Sequence, residues 1–81
     1  MEMIYRNVEI TEYYPRRAPY FRCYYYEKIG NNDGKLKEIS YEEACKLYWE
    51  LRKLGGKPSY SMNMFDPSIS SRQVTYYVPG R

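Results

Sequence analysis

The sequence contains no histidine and only two cysteines among its 81 residues. Without histidine the chain lacks the commonest general base, proton shuttle and zinc ligand of proteins. Cys23 and Cys45 are too far apart in sequence to form the paired spacing of a zinc site. The glycine motifs that cradle phosphate or present a nucleophilic serine are missing too. We therefore expect a protein without enzymatic activity, cofactor or bound metal.

Long apolar runs are also absent, since no stretch approaches the ~20 residues that span a bilayer. The N-terminus has no basic segment followed by an apolar one, which is the pattern of a secretory signal. Two isolated cysteines are not the dense disulfide framework of a small secreted scaffold, so buried free thiols are expected. These features favour a cytoplasmic protein, of a host cell or an infected cell, without a membrane partner.

Leucine, isoleucine, valine and phenylalanine are scarce, whereas tyrosine occurs twelve times. A chain of this length forms a single domain, residues 1–81, and such a small domain buries only about 60% of its unfolded surface. Tyrosine can complete a thin core because its ring is apolar and its hydroxyl can remain in water. Its preference for strands indicates a sheet.

Two alternating stretches, residues 4–14 and 20–29, predict an antiparallel hairpin. The segment PRRAP, residues 15–19, interrupts the alternation because its prolines cannot donate ladder hydrogen bonds, and it places Arg16 and Arg17 near a loop tip. The residues of the second strand expected to face the core are Phe21, Cys23, Tyr25 and Ile29.

A helix is predicted over about residues 41–54, after a GNNDG turn and a short third strand, KLKEI. Ser40 and Glu43 have the spacing of a capping box, and Gly55 suits the left-handed residue that ends a helix. An apolar stripe at helical spacing should pack on the sheet. It consists of Ala44, Leu47, Tyr48, Leu51 and Leu54.

Two further strands are predicted after the helix, at residues 59–65 and 73–78, with Met62 and Met64 as adaptable core filler. The expected fold is α+β: one helix packed on one face of an antiparallel four- to five-stranded sheet, in the order β-β-(β)-α-β-β. Either of these last two strands, if exposed at an edge, could pair between chains, so a homodimer is one expected state.

The second strand should also present an outward face that mixes rings with cations. Its members are Arg22, Tyr24, Tyr26 and Lys28, with Tyr5 and Tyr13 joining from the first strand. Three interpretations remain open: a solvated face stabilised by cross-strand and cation–π contacts, a protein-binding face, or a platform for single-stranded nucleic acid. Glu9 and Glu12 are expected near this face, where they would repel phosphate.

Two further features could contact a partner. Arg16 and Arg17 could bind carboxylate or phosphate, or could form a solvated turn. Trp49, one position off the apolar stripe of the helix, either seals the margin of the core or anchors a partner.

The net charge of +3 is modest, and the positive excess lies in the second half of the chain, where residues 44–81 hold six basic and two acidic side chains. The expected function is a small non-enzymatic protein-interaction module. The chain is small, lacks catalytic and metal-binding motifs, and should have a tyrosine-rich surface. In these respects it resembles, in general character, small phage or mobile-element accessory proteins such as anti-CRISPRs. This resemblance implies inhibition of a host protein or nucleoprotein complex. The alternative is a nucleic-acid-binding accessory domain that uses the aromatic and basic sheet face.

Overall fold

A five-stranded antiparallel sheet with one helix on one face forms the fold in the computed structural model, which describes residues 2–14 and 20–80. The order along the chain is β-β-β-α-β-β, which confirms the predicted α+β fold. Across the sheet the strands are arranged β3-β2-β1-β5-β4. The elements are β1 (Ile4–Tyr13), β2 (Tyr20–Ile29), β3 (Lys35–Ile39), α1 (Tyr41–Lys53), β4 (Lys57–Met62) and β5 (Ile69–Val78).

The last hairpin differs most from the sequence prediction. The alternation in residues 59–65 predicts a strand to Phe65, but β4 ends at Met62. The Asn63 side-chain oxygen accepts hydrogen bonds from the amides of Phe65 and Asp66, at 2.9 and 3.1 Å. This asparagine turn competes with the strand ladder and reverses the chain early. β5 begins at Ile69, four residues before the predicted start.

The helix begins and ends where its capping residues predict. The Glu43 amide donates to the Ser40 hydroxyl at 3.2 Å, and Gly55 has a φ of 101°. Glutamates in the first turn and Arg52 and Lys53 in the last turn suit the two ends of the helix dipole. Leu54, predicted to pack on the sheet, is instead the C-cap residue and is 53% exposed.

The core lies between the helix and the three central strands. Val8 lies at the centre of this core, because β1 runs between β2 and β5 and Val8 pairs with Tyr25 on one side and Val74 on the other. Phe21, Tyr48 and other half-buried rings pack around the centre, so tyrosine does supplement the core as expected. The fully enclosed apolar set is small: Val8, Ile10, Cys23, Ala44, Leu51 and Val74.

The two edges of the sheet are β3 and β4. β5 pairs with both β1 and β4, so the expectation that residues 73–78 could form an exposed edge is wrong. β4 is an edge as expected, but Lys57 and Pro58 lie in it, and a lysine and a proline both discourage pairing with another chain. Among the described residues, no helix has the length and apolar character needed to cross a membrane.

Candidate functional site

The face of the sheet opposite the helix is called here the open face, and none of the helices or strands in the described residues packs on it. The strand registers place all six sheet residues nominated from the sequence on this face. These are Tyr5, Tyr13, Arg22, Tyr24, Tyr26 and Lys28. Glu9 is there too, but Glu12, which the sequence suggested would lie nearby, has the opposite parity and lies on the helix side. Arg16 and Arg17 lie outside the described residues.

One end of the open face carries a cluster of three tyrosines, named here the Tyr5 cluster: Tyr5, Tyr26 and Tyr77. Tyr5 contacts Tyr26 edge to face at 5.6 Å between ring centroids, and Tyr77 in the same way at 6.1 Å. Tyr77, 53% exposed, was not nominated from the sequence. The parity of β5 could have identified it, since Gln73, Thr75 and Tyr77 alternate with the buried Val74. A shallow hollow beside this cluster includes Lys28.

The other end of the open face carries a pair of stacked rings, the Tyr13–Tyr20 stack. Their centroids are 4.9 Å apart and their planes differ by 7°. Tyr5 and Tyr13 are eight residues apart on β1, which at 3.4 Å per residue is about 27 Å. Two aromatic patches therefore lie at opposite ends of one face.

A band of short polar side chains lies between the two patches and is hydrogen-bonded within itself. Asn7 Nδ2 donates to Thr75 Oγ1 at 2.8 Å and also approaches the Val74 carbonyl at 3.3 Å. Thr11 and Ser71 hydroxyls are 3.3 Å apart across the β1–β5 ladder. These bonds join β1 to β5 and hold the middle of the face rigid.

Charges of both signs are distributed over the open face. Glu38, Tyr24 and Glu9 lie side by side across β3, β2 and β1, which places two carboxylates in the middle row. Arg22 and Lys28 lie toward the two ends of β2. Of the basic residues described after residue 43, Lys57 alone lies on this face. The others, Lys46, Arg52, Lys53 and Arg72, lie on the helix or on the helix side of the sheet.

A second surface, the Trp49 groove, opens on the helix side where the helix does not cover the sheet. It is a hollow of about 60 Å³ between α1 and the ends of β1, β2 and β5. Trp49 is 59% exposed, so it does not simply seal the core, and it lies edge-on to Tyr48 at 5.5 Å. The guanidinium of Arg52 lies 5.9 Å from the Trp49 ring. The groove is lined by Phe21, Tyr41, Cys45, Tyr48, Trp49 and Arg72, with Ile10, Glu12 and Ser70.

Tyr41 and Cys45 line this groove, and the buried Cys23 lies in the core. The hydrogen bond with the Cys45 thiol is the main reason that the pKa of the Tyr41 hydroxyl is raised, and Arg72 acts in the opposite direction. Burial, followed by the neighbouring Cys45, raises the pKa of the Cys23 thiol. Both cysteines are free, and Cys23 is buried as expected, whereas Cys45 is only half-buried. A buried thiol with a raised pKa, such as that of Cys23, is a poor nucleophile at neutral pH.

The turn between β4 and β5, named here the 63–68 loop, projects the two most exposed apolar side chains of the described residues. Met64 is 92% exposed and Phe65 98% exposed. The prediction that Met62 and Met64 fill the core is wrong, because Met62 lies on an uncovered edge strand and is itself 53% exposed. The sequence signal for this loop was the asparagine two residues before Phe65.

The described residues bring together no group of three metal-ligating side chains. Comparisons of the chain with protein-family models, with curated proteins and with solved structures found no match.

Proposed function

We propose that the chain is a small non-enzymatic module that binds the surface of another protein through its open face. The observation that carries this proposal is the distance between the Tyr5 cluster and the Tyr13–Tyr20 stack, about 27 Å along β1. A small ligand cannot contact both patches at once. A rigid face with an aromatic patch at each end fits a macromolecule that lies along the strands.

The chemistry of the two patches suits a protein partner. Tyrosine and arginine give a large contact area for little conformational cost and are enriched among the residues that contribute most to interfaces. Several rings are already fixed by contact with one another, so ordering them on binding costs little. The polar band between them is hydrogen-bonded internally and would contribute shape more than affinity.

Charge favours a protein over a nucleic acid. A phosphate backbone that follows the strands would cross the row that holds Glu9 and Glu38, and repulsion there opposes binding. The rings of the Tyr5 cluster contact one another, which leaves fewer free faces for bases to stack on. The complementary partner carries carboxylates opposite Arg22 and Lys28 near the ends, and basic side chains opposite the central glutamates.

A module of this kind acts by covering a surface that its partner needs. We place its role with small accessory proteins of phages and mobile elements, which the chain resembles in general character, and expect the partner to be a host protein or a nucleoprotein complex. Nothing in the proposal requires a cofactor or a catalytic residue.

Affinity capture with matched variants tests this proposal. Tyr24→Ser/Tyr77→Ser removes two open-face rings that do not support the core, whereas Lys46→Ala/Lys53→Ala alters the outer face of the helix. We expect a host protein that is retained by the wild type and by the helix variant, and lost with the open-face variant. Reconstitution with the purified candidate should reproduce this order. A set of captured proteins that is the same for all three chains contradicts the proposal.

An oligonucleotide titration tests the alternative, in which the open face binds nucleic acid. Fluorescence anisotropy with labelled single-stranded and double-stranded oligonucleotides at ~50 and ~200 mM salt should show no binding at either concentration. The result at ~50 mM is the more stringent one, because binding to phosphate is strongest at the lower salt. Binding at ~50 mM salt that falls steeply at ~200 mM and is lost in Tyr24→Ser/Tyr77→Ser would instead assign the open face to nucleic acid.

A further inference from the structure

The 63–68 loop is a preformed apolar projection. Two backbone amides, those of Phe65 and Asp66, are held by the Asn63 side chain, and Asp66 in turn accepts from the Ser68 amide at 3.1 Å. The base of the loop is closed by backbone bonds from Asn63 to Ile69 and from Ile69 to Asp66. A ring that is 98% exposed on such an ordered turn loses little conformational entropy when it is buried by a partner.

The Trp49 groove is an apolar recess of complementary character. Its walls are aromatic, and among the described residues that line it Arg72 and Glu12 are the charged ones. The guanidinium of Arg52, close to the Trp49 ring, adds a second cation beside it. The 63–68 loop carries the opposite charge next to its ring. Hydrogen bonds from the Ser68 hydroxyl and amide hold the pKa of the Asp66 carboxyl below its ordinary value, so this group is ionised at neutral pH.

The loop does not occupy the groove of its own chain. Phe65 and Met64 are almost completely exposed, whereas a ring inserted among Phe21, Tyr48 and Trp49 would be largely buried. Groove and loop nevertheless lie near the same end of the sheet, because Ser70, two residues after the loop, lines the groove. Two copies placed head to head could therefore exchange their loops, with each contact formed twice about a twofold axis.

We propose that a second copy of this chain occupies the Trp49 groove, with Phe65 of each copy packed against the groove's aromatic walls and Asp66 directed at Arg72 or Arg52. This contact is on the helix side, so it leaves the open face of both copies uncovered. The resulting dimer presents two open faces to solvent, one from each copy.

Sedimentation equilibrium of three purified chains tests the dimer. The wild type should show a concentration-dependent dimer between ~5 and ~500 µM, a range that covers weak and moderate self-association. Phe65→Ser and Trp49→Ser should each raise the dimer dissociation constant at least about tenfold, because each removes a central aromatic contact. Tyr77→Ser, on the opposite face, is the matched control and should leave the constant unchanged.

Mixing the two defective chains gives the sharper result. A mixed dimer of Phe65→Ser and Trp49→Ser retains one complete contact, formed by the intact loop of one chain and the intact groove of the other. Each parent dimer retains none. The mixture should therefore associate more tightly than either chain alone, which an unrelated loss of stability could not produce. At a concentration far below the dimer dissociation constant, thermal unfolding of Phe65→Ser should match the wild type, because the ring supports nothing in its own chain. At dimer-forming concentrations the wild type should unfold at the higher temperature.

Three outcomes would overturn the proposal. One is a wild type that remains monomeric at ~500 µM, a concentration at which even a weak dimer is populated. Another is a dimer unaffected by Phe65→Ser, which would place the interface elsewhere, for example on the edge of β4. The third is a mixture that associates no better than its components. If the wild type is monomeric and instead captures a different protein in a manner that depends on Phe65, the loop binds that protein and not a second copy of the chain.

Discussion

The ring of Tyr26 lies directly on the backbone of Gly34, across the turn that joins β2 to β3. A methyl group at position 34 would overlap the Tyr26 hydroxyl and would lie 2.6 Å from Tyr26 Cε2. The φ of Gly34 is one that other residues adopt, so glycine is required here by the ring and not by the backbone. This close packing holds Tyr26 edge to face against Tyr5.

Gly34→Ala should therefore displace the Tyr26 ring and disturb the Tyr5 cluster. We expect a loss of about 1–2 kcal/mol in the free energy of unfolding, as for other overpacked sites, and a changed near-UV circular dichroism spectrum. Removing the ring as well, in Gly34→Ala/Tyr26→Ser, should abolish the additional cost of the alanine relative to Tyr26→Ser alone. Costs that simply add in the double variant would mean that the ring and Gly34 are not coupled.

Two leucines three positions apart, Leu51 on the helix and Leu54 at its C-cap, should differ strongly in their contribution to stability. Leu51 is completely buried, so Leu51→Ala should lower the free energy of unfolding by about 2–5 kcal/mol in a urea titration. Leu54 is 53% exposed, and Leu54→Ala should cost less than about 1 kcal/mol. If Leu51→Ala does not fold, Leu51→Met should still fold, with a loss below about 1.5 kcal/mol. Equal costs for the two alanine variants would contradict the observed packing.

The two thiols should react with an alkylating reagent at very different rates. Cys23 is 2% exposed and its thiol pKa is raised by burial, whereas Cys45 is only half-buried beside the groove. Under native conditions Cys23 should react at least about 100-fold more slowly, because its exposure requires the core to open. Peptide mass mapping after timed labelling measures both rates. Similar rates in the folded protein, and not only in urea, would show that the helix does not cover Cys23.

Acid should loosen the 63–68 loop only below the ordinary pKa of an aspartate. Hydrogen bonds from Ser68 lower the pKa of Asp66 below 3.8 in the folded chain. The stabilisation is therefore complete above the unfolded value, and it is lost as the pH falls through the lower folded value. The Ser68 amide resonance should titrate with a midpoint below 3.8, and Ser68→Ala should raise that midpoint. A wild-type midpoint at or above 3.8 would mean that these bonds do not form in solution.

The two faces of the sheet could be predicted because side chains alternate strictly along a strand. Once Cys23 and Tyr25 were assigned to the core, Arg22, Tyr24 and Tyr26 had to face outward, and the register places them there. The same rule failed after Met62. There the alternation of Met62 and Met64 continues in the sequence, but the amides of Phe65 and Asp66 donate to the Asn63 side chain instead of to a neighbouring strand. A local side-chain hydrogen bond of this kind is not visible in a hydrophobic pattern.

The sequence by itself determined the elements of this protein: the strand faces, the capped helix and the absence of histidine chemistry, all of which follow from local spacing and residue type. Only the tertiary structure decided the order of the strands across the sheet, and with it the position of β5 between β1 and β4 and the position of β4 at an edge. It also decided that Trp49 lines a groove and that Phe65 projects from a loop. The physical reason is that exposure depends on which elements pack together, and a helix of 13 residues is shorter than the ten-residue strands it covers, about 20 Å against about 33 Å.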